Sequence, residues 1–125
     1  MADARTNPPL PQVRLADYAP PDWLVPDVEL DIRLDAARTI VTARLRVERN
    51  GQHDRPLLLD GHGLETESIS IDDKPVSTWP NGDTLSLAIS GDRAVVETRV
   101  VIHPQRNTRL MGLYASEGKL VTQCE

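Results

Sequence analysis

Phenylalanine is missing from this 125-residue sequence, and two tryptophans with two tyrosines are its whole aromatic content. A core made from this chain must therefore be aliphatic, built from Leu, Val and Ile. Cysteine occurs once, at Cys124, which excludes an internal disulfide and a multi-cysteine zinc centre. A lone thiol fits a reducing compartment, so a cytoplasmic location is expected. No apolar run approaches the roughly 18 residues of a membrane span. The first eleven residues, M-A-D-A-R-T-N-P-P-L-P, have no apolar stretch and read as neither signal nor anchor. Basic residues are outnumbered, 14 against 19, for a net charge of −5. That argues against nucleic acid, whose phosphates call for an excess of Lys and Arg.

Length predicts one domain, large enough to bury roughly two thirds of its unfolded surface. Prolines crowd the beginning: Pro8, Pro9, Pro11, Pro20, Pro21 and Pro26. Each fixes φ and removes a donor, so residues 1–26 cannot be helix interior or central strand. The reading is an extended arm, with Tyr18, Trp23 and Leu24 as anchors on the body. Residues 1–16 are assigned to the arm proper and 17–125 to the domain.

Thereafter the apolar period is two. Val28, Leu30, Ile32 and Leu34 alternate with charged residues, and Val41, Ala43, Leu45 and Val47 do the same after a turn at residues 35–38. Such alternation puts one set of side chains on each face of a strand. Shorter strands are expected at Leu57–Leu59, Leu64–Ile71 and Leu85–Ile89, and a long one at Ala94–Ile102. Asn50-Gly51, Asp72-Asp73 and Asn81-Gly82 mark turns. The last of these predicts a hairpin joining Val76–Trp79 to the Leu85 strand. Two further short strands flank Ser116-Glu117-Gly118-Lys119. No stretch carries the i, i+3, i+4, i+7 apolar spacing of an amphipathic helix. The fold expected is all-β: an antiparallel sandwich, barrel or curved sheet.

Chemistry is sparse. His53, His62 and His103 stand at no helical metal spacing and read as loop residues. Asp72-Asp73 reads as a solvated turn. Arg44, Arg46 and Arg49 read as a basic edge on a solvated sheet face, offset by Glu48 and by Glu29 and Asp31 on the neighbouring strand. A thiol chemistry of Cys124 with a histidine is spatially open, but a small buried apolar role is commoner for cysteine. No phosphate-binding glycine loop is present. Residues and spacing alone stop at an antiparallel β domain.

The final segment adds a resemblance. Asn107-Thr108-Arg109-Leu110-Met111-Gly112-Leu113-Tyr114-Ala115-Ser116, followed by Thr122-Gln123-Cys124-Glu125, resembles the N-T-x-L-x-G-L-Y-x-S and T-Q-C-E stretches of bacterial aminopeptidase N, the zinc-dependent alanyl aminopeptidases. Asp17-Tyr18 to Leu24 resembles that family's opening D-Y-x-x-P-x-[YW]-L, and Leu57 to Gly61 its L-x-L-D-G. The resemblance implies a saddle-like all-β N-terminal domain joined to a catalytic domain of the same polypeptide. That domain carries G-A-M-E-N and the H-E-x-x-H zinc helix, neither of which occurs here. The resemblance thus implies zinc in the parent enzyme, none in this piece, and no hydrolysis by the piece alone.

By the same resemblance, Gln123 lines the pocket for the substrate's first side chain and Glu125 receives the peptide's free α-ammonium. A carboxylate in a closed site rewards an ammonium with a charge-assisted hydrogen bond, while an internal amide leaves it desolvated and unpaired. The family's continuation after T-Q-C-E is missing here. A separated domain would expose the surface that meets its neighbour, and Leu110, Met111, Leu113 and Leu120 are the expected patch, with self-association as the consequence. The rival reading is a stand-alone β-sandwich that binds a protein or carbohydrate.

Overall fold

A computed structural model describes residues 14–124. Within them, nine strands and two 3-10 turns follow in the order 3-10 (Leu15–Asp17), β1 (Trp23–Arg33), β2 (Thr39–Arg49), β3 (Leu57–Asp60), β4 (Glu65–Ile71), β5 (Lys74–Pro75), β6 (Thr84–Leu87), β7 (Arg93–Ile102), 3-10 (Pro104–Arg106), β8 (Gly112–Ser116) and β9 (Lys119–Gln123). The fold is all-β, as the alternation predicts, and not a closed barrel. Three sheets form: a five-stranded one ordered β1-β2-β7-β4-β5, and the pairs β3-β6 and β8-β9. Every pairing is antiparallel.

Register explains the core. Val28 stands opposite Leu45, Leu45 opposite Val96, and Val96 opposite Ile71. This apolar row, with Val47, Ala94 and Ile69, makes one face of the large sheet. The β3-β6 pair covers part of it with Leu57, Leu85 and Leu87. Val96 and Leu87 are almost wholly buried. The partner of β6 departs from expectation: β6 pairs with β3, while residues 76–79 form no strand and Trp79 is exposed. Burial decides this, since Leu57, Leu85 and Leu87 all gain a dry face that the 76–79 segment could not supply.

The arm is only partly as expected. Trp23 is buried and opens β1, whereas Tyr18 and Leu24 are exposed. Residues 1–13 lie outside the described residues. Pro26 sits inside β1, at the register shift between Leu24 and Asp27. An edge strand tolerates it, because a proline there withholds no ladder hydrogen bond that an inner strand would need. The Trp23 indole donates to the Arg55 carbonyl at 3.2 Å, and the Arg49 guanidinium lies 4.5 Å from its ring centre.

Arg49 also corrects the basic-edge reading. Arg44 and Arg46 face outward toward Glu97, Asp73 and Asp27. Arg49 has the parity of Val47, so it points inward, and its side chain is only 10% exposed. There it donates to the carbonyls of His53, Ile89 and Gly91.

Candidate functional site

Gln123 lies on the β8–β9 hairpin. The turn Ser116-Glu117-Gly118-Lys119 holds both central residues at positive φ, 51° and 77°. That is the condition of a two-residue turn whose twist matches the flanking strands, and glycine meets it without strain. The register puts Gly112 opposite Gln123, Tyr114 opposite Val121 and Ser116 opposite Lys119. Gln123 therefore ends the last strand, exposed, at the hairpin's open end. Glu125 lies outside the described residues. Cys124 is exposed and is a free thiol.

One side chain sets the base of this hairpin. Asn107 donates both amide hydrogens, to the Met111 carbonyl at 2.7 Å and the Leu113 carbonyl at 2.9 Å, while its oxygen accepts the Arg109 N–H at 3.1 Å. The loop it closes passes through Leu110 at φ 59° and Gly112 at φ 75°. Asn107 stands in the quoted motif, but nothing in its spacing revealed this clamp. The available signal was an asparagine in irregular chain followed five residues later by glycine, the mark of a side chain standing in for backbone pairing.

Beside the hairpin is a cavity of about 540 Å³, bounded by His62, His103, Arg106, Arg109, Met111 and Gly112 among others. Gly112, the ladder partner of Gln123, thus stands on its wall. Of the expected apolar patch, Leu110 and Met111 are exposed, 55% and 47%, while Leu113 and Leu120 are half-buried. A larger exposed row was not anticipated: Val28, Leu30, Ile32 and Leu34, each 50–62% exposed.

The histidines are tied down. His62 Nδ1 meets Asp83 at 2.7 Å. His103 spans the Ala37 carbonyl and Glu65. His53 accepts the Arg55 N–H at Nδ1, which leaves Nε2 to donate to the Asp22 carbonyl at 2.7 Å. Nearby, the Arg55 guanidinium hydrogen-bonds the Asp22 carboxylate at 2.8 Å. That bond holds the Asp22 carboxyl below its ordinary value and lifts Arg55 above its own. Among the described residues no histidine contacts Cys124, and no three His, Cys, Asp or Glu side chains gather as metal ligands. No helix among them is long and apolar enough to cross a membrane.

No protein-family profile matches the chain. It is 40% identical over 124 residues to the aminopeptidase N of Caulobacter vibrioides, covering 97% of this chain and 14% of that protein. To aminopeptidase N of Escherichia coli it is 40% identical over 111 residues, 87% of this chain and 13% of the relative. The crystal structure of Legionella pneumophila aminopeptidase A in complex with aspartic acid superposes with a TM-score of 0.78 at 28% identity, over 90% of this chain and 14% of that one. The chain thus spans about a seventh of the length of the relatives it matches. On sequence and fold together, it is the counterpart of a small N-terminal portion of aminopeptidase N.

Proposed function

We propose that residues 17–125 form the N-terminal, non-catalytic β domain of a longer, cytosolic zinc aminopeptidase, and that the β8–β9 hairpin presents Gln123 and Glu125 to the N-terminus of a peptide substrate. The observation that carries this reading is the 40% identity along nearly the whole chain to aminopeptidase N. The hairpin supports it: a tight turn and the Asn107 clamp make a rigid arm whose last residue is exposed.

The chemistry is recognition. Gln123 offers both a donor and an acceptor to the first side chain. Glu125 offers a carboxylate to the α-ammonium, and so separates a chain end from an internal amide. The described residues bring no metal-ligating trio together. In this reading the metal and the bond-breaking groups belong to the catalytic domain of the same polypeptide.

The test is kinetic and uses the full-length enzyme. Removing one partner of a buried charge pair costs about 2–5 kcal/mol, so Glu125→Gln should lower kcat/KM for free-amine peptides by roughly 30-fold to several thousand-fold. Gln123→Ala should change the preference among first residues more than the rate on the best one. Wild-type kcat/KM in Glu125→Gln refutes the amine-anchor role.

A further inference from the structure

The five-stranded sheet has two edges, and they are built differently. One is β5, two residues long and ending in Pro75, which is short and proline-blunted as natural edges usually are. The other is β1, eleven residues long and, among the described residues, hydrogen-bonded on one side only, to β2. Its own protection, Pro26 and the register shift beside it, ends at Asp27. From Val28 to Arg33 the outer side carries no proline, no bulge and no inward-pointing charge.

The side chains of that stretch are unsatisfied in the same way. Val28, Leu30 and Ile32 lie on the aliphatic face, yet are 50%, 59% and 50% exposed. Their neighbours across β2, namely Leu45, Ala43 and Val41, are half-buried. On the other face β1 carries Asp27, Glu29 and Asp31. Asp27 reaches Arg46 at 3.6 Å, and among the described residues Glu29 and Asp31 make no ion pair. The strand β2 shows what fits against β1: Leu45, Ala43 and Val41 in one row, Arg46 and Arg44 in the other. A second copy of β1 offers no such basic row: paired antiparallel about Leu30, it would set Glu29 against Asp31 twice, which is destabilising, and only Asp27 against Arg33 would be complementary.

We propose that the outer edge of β1 receives a further strand whose side chains alternate between aliphatic residues beside Val28, Leu30 and Ile32 and basic residues beside Glu29 and Asp31, and that this strand is supplied by the rest of the longer polypeptide. The source rests on reading the chain as one domain of a longer protein. Main-chain hydrogen bonds would hold the strand and the two rows would set its register, as in strand addition to an open sheet edge generally.

The experiment is amide hydrogen exchange on the full-length protein, with β2 as internal reference. The expected result is protection of the Val28–Arg33 amides within about ten-fold of the β2 amides, and loss of that protection by at least ten-fold in Leu30→Lys. Leu30 is exposed here, so this variant leaves the fold of the described residues intact. Alternate β1 amides exchanging a hundred-fold faster than β2 would overturn the proposal. So would a reading frame that stops after Glu125. A photo-crosslinking residue at position 30, in a mixture of isotopically light and heavy protein, identifies the source. Crosslinks within one chain support it, and crosslinks between isotopes or to another protein overturn it. Peptide hydrolysis by the same preparation is scored separately. Protection without hydrolysis rejects the aminopeptidase reading and keeps the strand, whereas hydrolysis with an unprotected β1 rejects the strand alone.

Discussion

Arg49 is a cation turned into the body of an aliphatic domain, and replacing it with Met should be among the more damaging single changes available. Its guanidinium donates to the His53 carbonyl at 2.5 Å, to Ile89 at 2.9 Å and to Gly91 at 3.0 Å. It also lies over the Trp23 ring. Three segments far apart in sequence are joined through it: the start of β1, the 50–56 loop and the 89–92 turn. Hydrogen bonds to a charged group are worth about 1.5 kcal/mol or more each. The two at part-buried carbonyls therefore contribute about 3 kcal/mol, and the third, at an exposed carbonyl, adds little. The contact with the Trp23 face contributes about 1 kcal/mol. Arg49→Met keeps most of the volume but removes the cation from the Trp23 face and orphans the carbonyls, so a loss of about 4 kcal/mol is expected. At roughly 4 °C per kcal/mol for a domain of this size, Tm should fall by about 15 °C. In urea melts the midpoint should drop with the slope unchanged. The ion pair with Asp92 is excluded from this sum because Asp92 is 90% exposed. Asp92→Ala should accordingly cost less than about 0.5 kcal/mol. A stability within 1 kcal/mol of wild type in Arg49→Met, or an equal loss in Asp92→Ala, would refute the reasoning.

Leu87 is 1% exposed in the core, so Leu87→Ala should cost about 2–5 kcal/mol in equilibrium unfolding. Thr39, fully buried, donates to the Asp35 carbonyl at 2.7 Å and accepts the Asp35 N–H at 3.0 Å; Thr39→Val should cost about 1–3 kcal/mol by leaving both unmet. The Arg55 hydrogen bond depresses the Asp22 carboxyl in the folded state, so its stabilisation is present above about pH 4 and fades as acid titrates the group through its lowered folded value. Asp22→Asn should therefore flatten the acid limb of a Tm-against-pH curve while leaving its shape above pH 5 unchanged.

The strands that lie half-buried in the large sheet were legible because their alternation is a direct print of one dry face and one wet one. Val41 to Val47 is the clearest case, whereas Ala94 to Ile102 is legible from its length and its β-branched residues rather than from alternation. The same parity, applied one residue further, would have turned Arg49 inward; reading three arginines as one edge ignored that 44 and 46 are even and 49 is odd. Pairing was less legible than strand existence. Asn81-Gly82 is a strong local turn, yet β6 pairs with β3, some 25 residues upstream by register, because shared burial of Leu57 and Leu87 outweighs proximity in sequence. The exposed row on β1 was hidden for the opposite reason. Its pattern is that of a core face, and nothing local says whether a covering layer lies within these 125 residues. Gln123 and Glu125 came from resemblance, since a hairpin ending in polar residues carries no chemical signature by itself. The turn that carries the hairpin, Glu117-Gly118, was readable from glycine's tolerance of positive φ.

Asn107 spends both polar atoms of its side chain, in three hydrogen bonds, on the root of that hairpin. Such a rivet acts at close range: the Met111 and Leu113 carbonyls it holds flank Gly112, the ladder partner of Gln123, so a shift at the root reaches Gln123 directly. The placement of Gln123 is therefore set by a residue outside the strand that carries it, and exchanging Asn107 would move Gln123 without altering it.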